Sequence, residues 1–147
     1  MDPVPPCAGI VVFRIQDGGT YQCILVQTHR GTWGFPKGSR EHGESSLDNA
    51  LRELREETSI DEHQIRLIPA TPADELSKYG DLRVRYFAAL LLDAEARLVR
   101  EPEEHRAIDW FTIPRALELL QEPRRRVLNR LLSSLASTPS SGRTKSP

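Results

Sequence analysis

The chain has 147 residues, 38% hydrophobic and 28% charged, with a formal net charge of −1. That length suits one domain able to bury roughly 70% of its unfolded surface without staples, and no general polyanion-binding surface follows from the near-neutral balance, which makes nucleic acid an unexpected but open partner. Two cysteines (Cys7 and Cys23), a proline-rich start MDPVPP with no apolar h-region, and no run of membrane-spanning length point to free thiols in a reducing compartment, cytoplasmic or nuclear, with secretion left open should a leader have been removed.

In chain order, CAGIVVFRI (7–15) is a β-branched run that predicts a buried strand. QDGGT (16–20) predicts a turn, and YQCILVQTH (21–29) the returning strand of a hairpin. RGTWGFPKG (30–38) carries too much Gly and Pro for regular structure and predicts a loop. Ser45 and Ser46 offer N-caps for a helix to about Thr58. IRLIPA (65–70) predicts a short strand, LRVRYFAALLL (82–92) a long central one, and AIDWFTI (107–113) another. Pro114 opens a helix in PRALELL. PRRRVLNRLLSSL (123–135) continues as an amphipathic helix with Val127, Leu128, Leu131, Leu132 and Leu135 on one stripe. Arg124, Arg125, Arg126 and Arg130 read as its wet side, with a stripe for a nucleic-acid phosphate backbone as the alternative. The sequence predicts one domain over 1–135 and a disordered Ser/Pro-rich tail over 136–147. The element order is that of an α/β (α+β) protein, a sandwich around a mixed β-sheet.

The helix beginning near Ser46 concentrates charge. Leu47, Ala50, Leu51 and Leu54 share the face that packs on a core. Glu53, Glu56 and Glu57 are related by three and four residues and share a neighbouring face. Carboxylates so placed repel one another, and Glu56 and Glu57 also lie where the helix dipole disfavours them. A set of oxygens that opposes helix stability suits a hard cation, Mg²⁺ first, with Mn²⁺ as a substitute. A solvated acidic face relieved by Arg52 and Arg55 is the competing explanation on the helix alone.

The surrounding pattern favours the cation. Gly38, five residues, Glu44, seven residues, then Arg52-Glu53-Leu54-x-Glu56-Glu57-x-Ser59-Ile60 resembles the signature of the Nudix hydrolases, G-x5-E-x7-R-E-U-x-E-E-x-G-U, with U aliphatic. Ser59 alone departs, standing where the family has glycine. The resemblance implies the Nudix α/β/α sandwich and Mg²⁺-dependent hydrolysis of a phosphoanhydride by water. It implies Glu56 and Glu57 as metal ligands, Glu53 as ligand or base, the Lys37 carbonyl as a further ligand, and Arg52 as the partner that fixes a glutamate. Gly38 is expected to allow a tight turn. Glu44 and the helix carboxylates are expected to face one point.

The substrate is carried by weaker features. WGFPKG (33–38) is similar to segments of diadenosine tetraphosphate hydrolases and mRNA-decapping members, with Lys37 a candidate phosphate contact. PEEHRAIDWF (102–111) resembles the E-H-x-x-x-x-W segment of the asymmetric diadenosine tetraphosphate hydrolases, which maps a further base or metal ligand onto Glu104, with Glu103 as fallback and His105 and Trp110 in register. Tyr79 and Tyr86, beside Lys78, Arg83 and Arg85, are candidates to stack on a purine and take distal phosphates. His29 and Arg30 join Lys37, Arg40, Arg83 and Arg85 as the cations a diphosphoinositol polyphosphate would need. That substrate is the first alternative to a dinucleoside polyphosphate. An RNA 5′-cap or triphosphate end is the next, and a non-catalytic nucleotide-binding module the last. Membrane partners are not expected, and the oligomeric state is open.

Overall fold

The computed structural model describes residues 4–137. In chain order the elements are β1 (Cys7–Ile15), β2 (Tyr21–Thr28), β3 (Trp33–Gly34), β4 (Lys37–Ser39), α1 (Ser46–Thr58), β5 (Ile65–Leu67), β6 (Ala73–Leu76), β7 (Leu82–Leu91), β8 (His105–Thr112), α2 (Ile113–Leu119) and α3 (Glu122–Ser137). All eight strands join one mixed sheet. β1 and β7 pair in parallel from Cys7↔Val84 to Phe13↔Leu90, and the other pairings are antiparallel.

The unbroken apolar run of β1 follows from burial on both faces. Ala8, Ile10 and Val12 pack with Ala50 and Leu54 of α1. Val11 and Phe13 turn to the other side, where Ala116 of α2 and Val127, Leu128 and Leu131 of α3 close the second layer. The result is the expected α/β/α sandwich, with α1 alone on the face that carries the glutamates.

Four features differ from the sequence expectation. The Gly/Pro-rich stretch is not all loop, because β3 pairs with β2 and β4 with β1 through Ala8↔Gly38. A proline lacks only a donor, and the Pro36 carbonyl still accepts from Ile10 N at 3.3 Å. β6, with sequence ADEL, was absent from the expectation; it is a short, polar strand along β7, where Asp74 lies opposite Arg85. The strand expected over 65–70 is regular only to Leu67, and Ile68 N continues to Ala88 O at 2.9 Å. α3 carries helix through Ser137, and the remaining residues of the expected tail, 138–147, lie outside the described residues.

Cys7 and Cys23 are unpaired, and burial pushes the Cys23 thiol up to about 12. Among the described residues no helix is long and apolar enough to cross a membrane.

Candidate active site

α1 starts where Ser45 Oγ accepts from Asp48 N at 3.1 Å, satisfying one of the free amides of the first turn. It ends at Ser59, whose φ of 68° is left-handed and whose amide donates to Arg55 O at 2.9 Å. This is the exit expected at a position where glycine is favoured, and a serine there costs about 1 kcal/mol.

The helix sets its carboxylates at graded depths. The Glu57 side chain is only 6% exposed, that of Glu53 12%, and that of Glu56 51%. Glu57 Oε1 accepts the Lys37 amide at 3.1 Å and lies 3.9 Å from His105 Nε2. Burial pushes Glu57 up to about 8; the Lys37 amide opposes this, and the charges of Glu53 and Glu104 add to it. Burial also raises Glu53, against the opposing pull of Arg52. His105 is held below its ordinary value by burial, so it is neutral near pH 7 and forms no ion pair with Glu57.

Arg52 is the clamp the resemblance implied, and it reaches further than one glutamate. Its Nε and Nη2 donate to the two oxygens of Glu44 at 2.6 and 3.0 Å, Nη2 also to Ser39 O at 2.8 Å. Nη1 donates to Glu53 at 3.0 Å and Glu56 at 3.2 Å. The forked pair is the strong geometry for guanidinium and carboxylate, and it holds the Glu44 carboxyl down to about 2. Glu44 therefore does not face the cleft with the helix carboxylates, as the sequence had suggested. It is bound to Arg52 and to Glu41 N at 2.8 Å.

β4 supplies the opposite wall. Pro36 O accepts from Ile10 N and Arg40 N donates to Pro6 O, so the backbone groups of Lys37 turn away from β1. The Lys37 amide does reach Glu57, and in a strand the carbonyl of a residue points to the same edge as its amide. Gly38 is glycine for a reason other than the expected turn. It lies within β4 and is absent from the residues of positive φ. A Cβ at Gly38 would coincide with the Glu53 carboxylate. The Glu53 carboxylate lies directly over the Gly38 Cα, so a side chain there would displace it.

The third wall is the loop before β8. Glu104 N and His105 N both donate to Glu101 O, at 3.2 and 2.9 Å, and Glu103 N donates to Glu101 Oε1 at 3.0 Å. His29 Nε2 meets Pro102 O at 2.8 Å and ties this loop to the end of β2. Together the walls enclose an open cleft of about 620 Å³, lined among others by Lys37, Gly38, Glu53, Glu56, Glu57 and Glu104.

This donor set fits a hard divalent ion. Among the described residues no three His, Cys, Asp or Glu side chains are grouped so that together they could hold a metal ion. Mg²⁺ does not require such a group, since it keeps several waters and takes one or two carboxylates plus substrate phosphates. Glu57 is the strongest indication: a buried carboxylate whose partners are a backbone amide and the Glu53 carboxyl, with further carboxylates around it.

The remaining candidates divide. Tyr79, 80% exposed, and Arg83 line a second pocket of about 420 Å³ beside the β6–β7 turn. Tyr86 does not stack on a ligand, because it is fully buried against Phe35 at 5.2 Å between centroids. Arg85 is committed to Asp74 at 2.9 Å, and His29 to the loop carbonyl. Arg30 is exposed in the turn after β2 and is not part of the cleft wall. Trp33 and Phe35 pack, Trp33 edge-on to Phe111 at 5.0 Å.

The sequence reading left three residues without a role. Glu101 organises the Glu104 loop, which no periodicity announces. His105 is buried with Nδ1 unpartnered, and its only signal was its place directly after Glu104. Arg124, read as wet, is turned inward and donates to Trp33 O at 2.9 Å.

Comparison with known proteins bears on this geometry. Residues 4–131 match the NUDIX domain profile. The bis(5′-nucleosyl)-tetraphosphatase [asymmetrical] of Mus musculus is 31% identical over 122 residues, covering 77% of this chain and 82% of that protein. The enzyme of the same name from Rattus norvegicus is 30% identical over 141 residues, covering 89% and 95%. A crystal structure of a C. elegans Ap4A hydrolase binary complex superimposes with a TM-score of 0.77 at 24% identity, covering 88% of this chain and 96% of that one.

Proposed function

The chain belongs to the Nudix hydrolase family, and we propose that it is a Mg²⁺-dependent hydrolase of dinucleoside polyphosphates of the diadenosine tetraphosphate kind. It is a pyrophosphohydrolase by family; the metal and the substrate are our reading. One observation carries that reading. Glu57 is buried in a cleft that also holds Glu53 and Glu104, and among the described residues its partners are the Lys37 amide and the neighbouring Glu53 carboxyl, with no cationic side chain bonded to it. That arrangement is unfavourable without a cation and favourable with one.

Glu57 and Glu56 would hold the ion, with Glu53 and the Lys37 carbonyl beside them. Such an ion neutralises phosphate charge and activates water for attack. Arg52 fixes the rotamer of Glu53 from behind and leaves Glu57 free. Lys37 meets the phosphate chain as a point charge. Glu104, exposed on its loop and untouched by Arg52, takes the proton from the attacking water. Glu104→Gln should therefore lower kcat by roughly 10²-fold with an unchanged melting temperature; full activity in that variant would remove the loop from the chemistry.

The substrate preference rests on which cations remain available. A diphosphoinositol polyphosphate would need a dense cationic pocket, and three of its six candidate cations, His29, Arg40 and Arg85, are already engaged. An RNA backbone would need the α3 arginines, but Arg125 and Arg126 pair with Glu122 at 2.8 and 3.1 Å. The named activity of the Mus musculus and Rattus norvegicus relatives points the same way. A panel of diadenosine tetraphosphate, a diphosphoinositol polyphosphate and a capped RNA, each with Mg²⁺, decides the matter. Faster cleavage of either alternative would overturn the substrate, and no turnover of any would overturn the enzyme.

Burial of Glu57 makes the metal linkage pH-dependent in a defined direction. Its folded value, about 8, lies above the ordinary 4.5. The folded state thus keeps a proton that the unfolded chain has released. The stability this gives is complete below the unfolded value and is lost as pH rises through the folded one. Metal-free protein should melt lower at about pH 8.5 than at about pH 6. Added Mg²⁺, which requires the ionised carboxylate, should raise the melting temperature more at the higher pH. An equal Mg²⁺ effect at both values would detach Glu57 from the metal.

A further inference from the structure

Between the cleft and the outer Tyr79 pocket lies a smaller cavity of about 120 Å³. It shares Lys37, Glu57 and Glu104 with the cleft, and Arg124 with the outer pocket. The small cavity thus has a wall in common with each of the other two, and Arg124 is the wall it shares with the outer pocket.

Arg124 is not explained by its helix. A cation in the first turn of α3 opposes the helix dipole, and its neighbours Arg125 and Arg126 stay on the surface with Glu122. Arg124 instead reaches under the sheet edge with a side chain 19% exposed. Nη1 donates to Trp33 O at 2.9 Å and Nε to Glu75 Oε1 at 3.4 Å. Glu75 Oε1 also accepts from Tyr86 OH at 3.3 Å, so the Arg124 guanidinium is aimed by the core. The position depends on Gly34, where a Cβ would come within 3.2 Å of Nη1. Two of the three guanidinium nitrogens are thus fixed. Nη2 makes neither of these bonds, and Arg124 lines both the small cavity and the outer pocket.

A fixed guanidinium with one free edge, one cavity away from a metal-type centre, suits a phosphate oxygen. We propose that Arg124 determines specificity by holding the phosphate beyond the cleaved anhydride, so that the enzyme distinguishes long phosphate chains from short ones. This rests on the dinucleoside polyphosphate reading above. A chain of two phosphates ends within the cleft, whereas a chain of four must pass Arg124 to bring its far nucleoside to the outer pocket.

The test compares diadenosine tetraphosphate with diadenosine diphosphate under Mg²⁺. Arg124→Ala should raise KM for the tetraphosphate roughly tenfold to a hundredfold, as expected for loss of a charged hydrogen bond. Its kcat should stay within about threefold, and kcat/KM for the diphosphate should not change. Arg124→Lys should recover only part of the loss, because an ammonium cannot keep both fixed bonds and a free edge. Gly34→Ala, which crowds the guanidinium without removing it, should shift KM in the same direction by less. Melting temperatures measured alongside separate this from the anchoring of α3. A loss equal for both substrates, or an unchanged KM for the tetraphosphate, overturns the role of Arg124. A wild-type enzyme that prefers the diphosphate overturns the substrate reading itself, before any variant is compared.

Discussion

Glu57→Gln is expected to lower kcat by roughly 10³-fold or more while leaving the metal-free fold intact. Burial holds Glu57 near 8, so at neutral pH the metal-free protein already carries mostly the neutral carboxyl. Glutamine reproduces that neutral form in shape and volume and can still accept the Lys37 amide. It cannot supply the anionic oxygen a divalent ion requires. The variant should melt at or slightly above the metal-free wild type, and should lose both the fall in stability toward alkaline pH and the stabilisation by Mg²⁺. Steady-state kinetics and a melting series across pH check the two halves separately. Undiminished activity would end the assignment of Glu57 as a ligand. Lost activity together with a collapsed melting temperature would mean that the residue serves the fold instead.

Gly38→Ala is expected to act through a neighbour. The added methyl would occupy the place of the Glu53 carboxylate. One of two things must yield: the strand moves off α1, or Glu53 leaves its position beside Arg52. Overpacking of a close contact costs about 1–3 kcal/mol, and displacement of a cleft carboxylate by an ångström can cost roughly 10²-fold in rate. The measurement is a double-mutant cycle with Glu53→Ala, which empties the contested space. In that background the alanine at position 38 should cost little further stability. Additive effects would show that Gly38 and Glu53 do not meet.

The helix and its cluster were legible because each rests on short-range rules. Ser45 announces the cap, the leucines announce the buried face, and the glutamates gather on one edge against helix electrostatics, where Arg52 of the same helix meets Glu53 and Glu56 and leaves Glu57 to the cleft. β1 and β7 were legible for a similar reason, as unbroken apolar runs have few homes but a doubly covered sheet. β3, β4 and β6 were hidden because their pairing is set by the partner strand. Glycine and proline mask the first two, and the third carries the polar sequence of a strand lying along β7. The roles of the tyrosines followed from register alone. Tyr86 alternates inward with Val84 and Ala88 on β7, while Tyr79 sits in the turn that precedes that strand. Arg124 was read as solvated because the amphipathic stripe of α3 treats all its arginines alike, and only Glu75 and Trp33, distant in sequence, single it out.

The parallel pairing of β1 with β7 has a consequence for biosynthesis. Residues 7–13 wait for residues 84–90 before that edge of β1 is satisfied, and contacts so distant along the chain form slowly. A nascent polypeptide that has emerged only as far as α1 carries the whole glutamate helix but not the frame that aims it. During that interval an apolar strand edge is open to other chains, the situation in which aggregation competes with folding. Premature termination before Leu82 should therefore yield insoluble, inactive fragments rather than a weakened enzyme.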